Sequence, residues 1–123
     1  MTNEELQDLL DRADEALTAS NYVILELLAS KVLNDLELQP ELSVQCLIYK
    51  AHALSHLGTV SRLQGDYSQA LTHYTNSLTA GESASDQLST ARAKMGLGMS
   101  IKVCRNLHLL LSLIMMRMHS LRL

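Results

Sequence analysis

The chain contains no tryptophan and no phenylalanine, and its four aromatic residues are all tyrosine. A β-sandwich or barrel of this length draws on aromatic and β-branched runs for its core and on glycine and proline for its turns. With one proline and five glycines in 123 residues, there is little here to build either. Cysteine is also scarce: Cys46 and Cys104 stand far apart, with no CxxC pair and no Cys/His spacing that would make a zinc site. They read as two free thiols in a reducing compartment, one of them buried as a small hydrophobe. The opening Met-Thr-Asn-Glu-Glu is acidic where a secretory signal would be basic. The most apolar segment, Leu107 to Met116 between Arg105 and Arg117, has about half of the ~20 residues that a membrane span requires. A cytoplasmic protein without a membrane partner is expected.

What the chain has is leucine, alanine, serine and methionine, with 47% hydrophobic and 19% charged residues. That balance excludes a disordered segment and favours an all-α domain. The net charge of −3 is unevenly spread. Residues 1–41 carry ten acidic residues against Arg12 and Lys31, whereas residues 42–123 carry only Asp66, Glu82 and Asp86 against eight Lys and Arg. An acidic head and a basic tail suit head-to-tail contact between copies, or a basic surface offered to an acidic peptide. The cations stand singly and without interleaved aromatics, so nucleic acid is not expected as a partner.

Helical spacing starts at once. Thr2 and Glu5 have capping-box separation, and Leu6, Leu9, Leu10, Ala13, Ala16 and Leu17 follow on one face. Ser20-Asn21 breaks the pattern, and a second face runs through Tyr22, Leu25, Leu28, Ala29, Val32 and Leu36. Pro40 ends that helix and suits the first turn of the next, expected over Glu41–Gln64. Gly65 terminates it, and Asp66 with Gln69 caps a fourth helix. A loop is expected at 81–85, then a helix from Ser85 to Cys104 and a sixth from Asn106 towards the C-terminus.

The pattern repeats. Gly58, Tyr67, Ala70 and Tyr74 have counterparts 40 residues later in Gly98, Leu107, Leu110 and Ile114, and 45 residues earlier in Ala13, Tyr22, Leu25 and Ala29. In each pair of helices a small residue midway along the first precedes, by nine residues, a large one at the start of the second. Gly58, Gly98 and Ala13 are therefore expected to let paired helices approach closely.

Leu54, Leu57-Gly58, Gly65-Asp66-Tyr67, Ala70 and Tyr74 together resemble a tetratricopeptide repeat. Leu97-Gly98, Ile101 and Asn106-Leu107 resemble a further unit, and Leu9, Ala13, Ala16 and Asn21-Tyr22 an earlier one. The steps of 45 and 40 exceed the family's period of about 34, and Thr79-Ala80-Gly81-Glu82 stands where the family has a loop proline. A step near 40 is similar to the variants in kinesin light chains and bacterial regulatory proteins. The resemblance implies three antiparallel helix hairpins stacked as a short right-handed α-solenoid, one domain with repeats near 5–39, 44–82 and 85–121. It also implies a concave groove, lined by the first helix of each pair, that binds a peptide or helix. His52, Ser55, Thr59 and Arg62 would line it from the second repeat, and Arg92, Met95, Met99 and Lys102 from the third. That lining is basic with two flexible methionines, a match for an acidic or amphipathic segment. A carboxylate clamp of the chaperone type is not implied, because Leu10 and Asp14 stand where the first repeat would need its polar ligands.

The C-terminal segment is apolar on every side of a helix, and such a helix is covered by something. Leu107, Leu110, Leu111, Ile114, Met115 and Met118 are the candidate interface of a homo-oligomer. Further repeats in a longer chain would cover them equally well.

Catalytic chemistry finds no constellation. His52 and His56 share a helix face at metal-binding spacing, but no further His, Cys or acid stands on the same helix at the right offset, so neither a metal nor a cofactor is expected. Gly96-Leu97-Gly98 lacks the strand that precedes a nucleotide-binding loop. Neither cysteine has an activating context. Three readings follow: a non-catalytic interaction module binding an acidic or amphipathic peptide, a self-assembling element working through residues 106–123, and a sensory fragment of a larger regulator.

Overall fold

Each helix begins where a short polar side chain takes up a free backbone N–H, as the first turn of any helix requires. In the computed structural model, which describes residues 1–121 and side chains as far as Met118, there are five such starts. Helix α1 spans Asn3–Thr18 and is capped by Thr2, whose hydroxyl accepts from Glu5 N at 3.2 Å. Helix α2, Tyr22–Glu37, is capped by Asn21. Helix α3, Val44–Leu63, is capped by Ser43, and α4, Tyr67–Ser83, by Asp66. Helix α5 runs from Gln87 to Leu121, and Asp86 accepts from Ser89 N at 3.0 Å ahead of it. The described residues form an all-α chain with no strand.

Three turns share one geometry. Ser20, Gly65 and Ser85 take positive φ angles of 58°, 83° and 53°, and each is followed by a capping Asn or Asp. In each, the capping residue's N–H reaches back to the carbonyl of Ala16, Ser61 or Gly81, a Schellman closure that satisfies the end of the preceding helix. The chain therefore reverses at the same chemical signature three times.

Packing follows chain order, α1 on α2, α2 on α3, α3 on α4 and α4 on α5, and in addition α1 touches α3 and α3 touches α5. Leu6, Leu9 and Leu10 of α1 are buried with Ala29, Val32 and Leu36 of α2 and with Cys46, Tyr49 and Ala53 of α3. Ala13 and Ala16 are buried with Leu25 and Val60, so α3 approaches α1 over small side chains. Burying one such leucine contributes about 1.5–3 kcal/mol. Between α3 and α5 lies the ring of Tyr74, 1% exposed. Gly58 faces it from α3 and Gly96 from α5; a Cβ on either would stand within 3.0 Å of ring carbons. The Tyr74 hydroxyl pairs with Thr59 Oγ1 at 2.8 Å.

Four expectations change. Helix α3 starts at Val44 rather than Glu41, because Ser43 supplies its cap and Pro40, expected in its first turn, lies ahead of it. The expected loop at 81–85 narrows, because α4 continues to Ser83; Gly81 is helical and gives room to Ser89 and Thr90 of α5, 3.1 Å from where its Cβ would be. The third hairpin does not form, since α5 passes through Arg105 and Asn106 without a break. Asn106 stands where Asn21 and Asp66 cap, but Arg105 before it does not take the left-handed conformation that Ser20 and Gly65 adopt at those turns, and the helix runs on. Gly98, finally, has nothing within 4 Å of a built Cβ. Its partner would have come from a sixth helix folding back; with α5 continuous, the close approach falls to Gly96.

Candidate functional site

On the α1–α3–α5 side, Asp14 lies four residues after the buried Leu10 and three before the half-buried Leu17, at the border of the apolar stripe of α1. Its carboxylate reaches across to α3, where Oδ1 stands 2.9 Å from His52 Nε2 and 2.7 Å from His56 Nε2. The two imidazoles, one turn apart, stack with centroids 4.8 Å apart and planes at 30°. The His56 side chain is 7% exposed, that of His52 15% and that of Asp14 49%. Burial pushes the His56 pKa below the ordinary value, the His52 charge nearby adds to this, and the Asp14 hydrogen bond opposes it. Small residues create the arrangement: Ala13 and Ala16 let α3 come close enough for one carboxylate to serve two rings.

The residues assigned to the groove divide into two sets. From α3, His52 is half-buried and engaged with Asp14. Thr59 donates to Ser55 O and pairs with Tyr74, so its hydroxyl faces α4 rather than an open surface. Ser55 and Arg62 are half-buried, and Arg62 Nε is enclosed without a hydrogen-bond partner among the described residues. From α5, Arg92, Met95, Met99 and Lys102 are all exposed along one stripe. Because α3 and α5 touch, the two sets lie on neighbouring helices.

The residues assigned to an oligomer interface, Leu107, Leu110, Leu111, Ile114, Met115 and Met118, are all exposed. So are Leu109, Leu113 and Met116 between them. From Gln87 to Met118, α5 is long and apolar enough to cross a membrane by length and composition. The count over Leu107–Met116 was shorter because it stopped at Arg105, whereas Met99, Ile101 and Val103 continue the apolar character of α5 before it.

A concavity of about 440 Å³ lies between α2 and α4 over α3. Leu33, Leu36, Leu47 and Leu54 form its walls, with Glu37 and Lys50 among its lining. Helical geometry places Leu47, Lys50 and Leu54 on the side of α3 opposite His52 and His56.

No family model, curated protein or solved structure matches the chain. The likeness to tetratricopeptide repeats rests on the residues that carry it.

Sequence reasoning had the two histidines but not their partner. Asp14 is one of four acidic residues in the middle of α1, and charge alone does not separate it from Asp8, Asp11 and Glu15. Its offset from Leu10 and Leu17 does, since only an acid on the apolar border can meet a neighbouring helix.

Proposed function

We propose that the chain is a non-catalytic protein–protein interaction module, a short right-handed α-solenoid of tetratricopeptide type serving a regulatory system in the cytoplasm. Its α1–α3–α5 side receives an acidic or amphipathic peptide or helix. The observation that carries this reading is the exposed stripe of Arg92, Met95, Met99 and Lys102 on α5, beside α3. The stripe combines two cations with two adaptable apolar side chains, the chemistry that suits an amphipathic helix laid along a helical surface. The helix order supports the solenoid: odd-numbered helices touch their next odd neighbour, while α2 and α4, among the described residues, do not touch. Hairpins stacked in one direction produce that pattern.

Charge reversal tests it. Arg92→Glu with Lys102→Glu removes both cations from the stripe without touching a buried group. Binding of an acidic amphipathic helical peptide, followed by fluorescence anisotropy, is expected to fall at least tenfold. Unchanged affinity refutes the groove assignment.

Self-association is a second reading, favoured by the nine large apolar side chains exposed between Leu107 and Met118. A patch of that kind marks a contact surface. Light scattering on the full chain and on one ending at Arg105 separates the cases. A dimer that becomes a monomer on truncation supports the self-assembling element. A full-length monomer that partitions into lipid vesicles assigns the extension to a membrane instead.

A further inference from the structure

We propose that Asp14, His52 and His56 form a binding site for a divalent transition-metal ion, with Zn2+ as the reference, that clips α1 to α3. Their donor atoms lie within 4.8 Å of one another and come from two helices. Two imidazole nitrogens at i and i+4 on one helix face are a recurring zinc-binding pair. A carboxylate oxygen from a second helix completes a three-ligand set, with the fourth place left to water, as in open zinc sites. Imidazole donors favour zinc, nickel and copper over magnesium and calcium, which take oxygen ligands.

The distances define what binding requires. Zinc–ligand bonds of about 2.0–2.2 Å place neighbouring donors in a tetrahedral shell about 3.3 Å apart. Asp14 Oδ1 stands at 2.9 and 2.7 Å from the two Nε2 atoms, in hydrogen-bond contact. The carboxylate therefore retreats by about half an ångström to admit an ion of that bond length. Asp14 can make this move because half of its side chain faces solvent and, among the described residues, its carboxylate is hydrogen-bonded to the two rings alone. The rings themselves are held: His56 is buried, and both sit in the third and fourth turns of α3 between the buried Ala51, Ala53 and Leu54 and the buried Val60. On binding, each neutral imidazole presents its Nε2 lone pair and carries its proton on Nδ1. The N–H that each Nε2 offers to Asp14 Oδ1 in the free chain is given up to solvent and a proton is taken up at Nδ1, so each ring stays neutral with no net proton released, and the ion replaces two N–H contacts with two bonds.

The alternative is a carboxylate that accepts from two imidazole N–H groups and binds no ion. Calorimetric titration of the full chain with Zn2+, and of a second sample with Co2+ read by visible absorption, distinguishes the two. The expected result is one equivalent bound, a rise in Tm with Zn2+ and no heat with Mg2+. Asp14→Asn and His52→Gln are each expected to weaken binding by a factor on the order of ten or more, since loss of even an outer-shell partner costs about that much. Asn keeps an oxygen for the rings, and circular dichroism checks that both variants fold. The proposal is overturned if the wild-type chain binds no ion in excess Zn2+. It is equally overturned if both variants bind as tightly as wild type, which would move the ion to an exposed histidine such as His108. No peptide enters the measurement, so its outcome is independent of the groove reading.

Discussion

Substituting alanine at Gly96 and, separately, at Gly98 should move stability in opposite directions. A Cβ at Gly96 would stand 2.3, 2.5 and 2.6 Å from Cε1, Cδ1 and Cζ of Tyr74. Carbon atoms pack best at about 3.5–4.0 Å, so the ring would have to withdraw by more than about 1 Å. It has nowhere to go. Gly58 faces the same ring from α3, with a built Cβ 2.8 Å away, and the hydroxyl is tied to Thr59. Overpacking of this kind costs about 1–3 kcal/mol, and the steric conflict here lies at the upper end. Helix propensity returns about 1 kcal/mol for Gly→Ala. The net destabilisation is about 1–2 kcal/mol, a fall in Tm of roughly 4–8 °C for a domain of this size. Gly98 is exposed, helical and free of neighbours within 4 Å. There Gly→Ala gains the propensity alone, about 0.5–1 kcal/mol. Urea unfolding followed by far-UV circular dichroism measures both. Adding Tyr74→Leu to Gly96→Ala should cost less than the sum of the two single changes, because the smaller side chain relieves the contact. A stable Gly96→Ala beside an unstable Gly98→Ala would mean that α5 packs in the register of the sequence repeat, and the reasoning fails.

Ser20→Gly and Ser85→Gly should each stabilise the chain by about 0.5–1 kcal/mol, because both serines hold left-handed conformations that Gly65 adopts without strain; a loss of stability in thermal melts would contradict the turn geometry. Asp86→Ala should cost about 1 kcal/mol through loss of the cap on α5. The Ser89 hydroxyl and backbone N–H hold the Asp86 pKa below its ordinary value, so this carboxylate's advantage is present above the ordinary carboxylate range and disappears as pH falls through the folded value. The difference between wild type and Asp86→Ala should shrink accordingly in acid. His73 provides the converse residue type with the same direction: burial lowers its pKa below 6.5, against the opposing pull of Asp66 and Glu26. The unfolded chain then takes up a proton first, so stability should decline as pH drops below 6.5, and His73→Gln should flatten that decline. An unchanged slope would remove His73 from the account.

Most of the helical layout was legible because local chemistry sets it. Thr2, Asn21 and Asp66 each offer an oxygen to a free N–H, and left-handed turn residues precede two of them; Asp86 does the same for α5, whose start the spacing placed at Ser85. The apolar faces of α1 and α2 could be read from spacing alone, and Leu6, Leu10, Leu25, Ala29, Val32 and Leu36 are buried as that spacing implies. Such features depend on neighbours three or four residues away, which one sequence displays in full.

Only the tertiary structure could decide the rest. Whether the chain turns at Arg105–Asn106 depends on whether burying residues 107–118 against the rest of the fold would outweigh the helical hydrogen bonds given up at the turn, a comparison of distant groups. The choice of Gly96 over Gly98 follows from that outcome, since a glycine's role is set by what crosses it. Asp14 meets His52 and His56 from 38 and 42 residues away because alanines draw two helices together. Sequence periodicity assigns each residue to a face of its own helix. Which faces meet, and which side chains then converge, is settled by the packing of whole helices against one another.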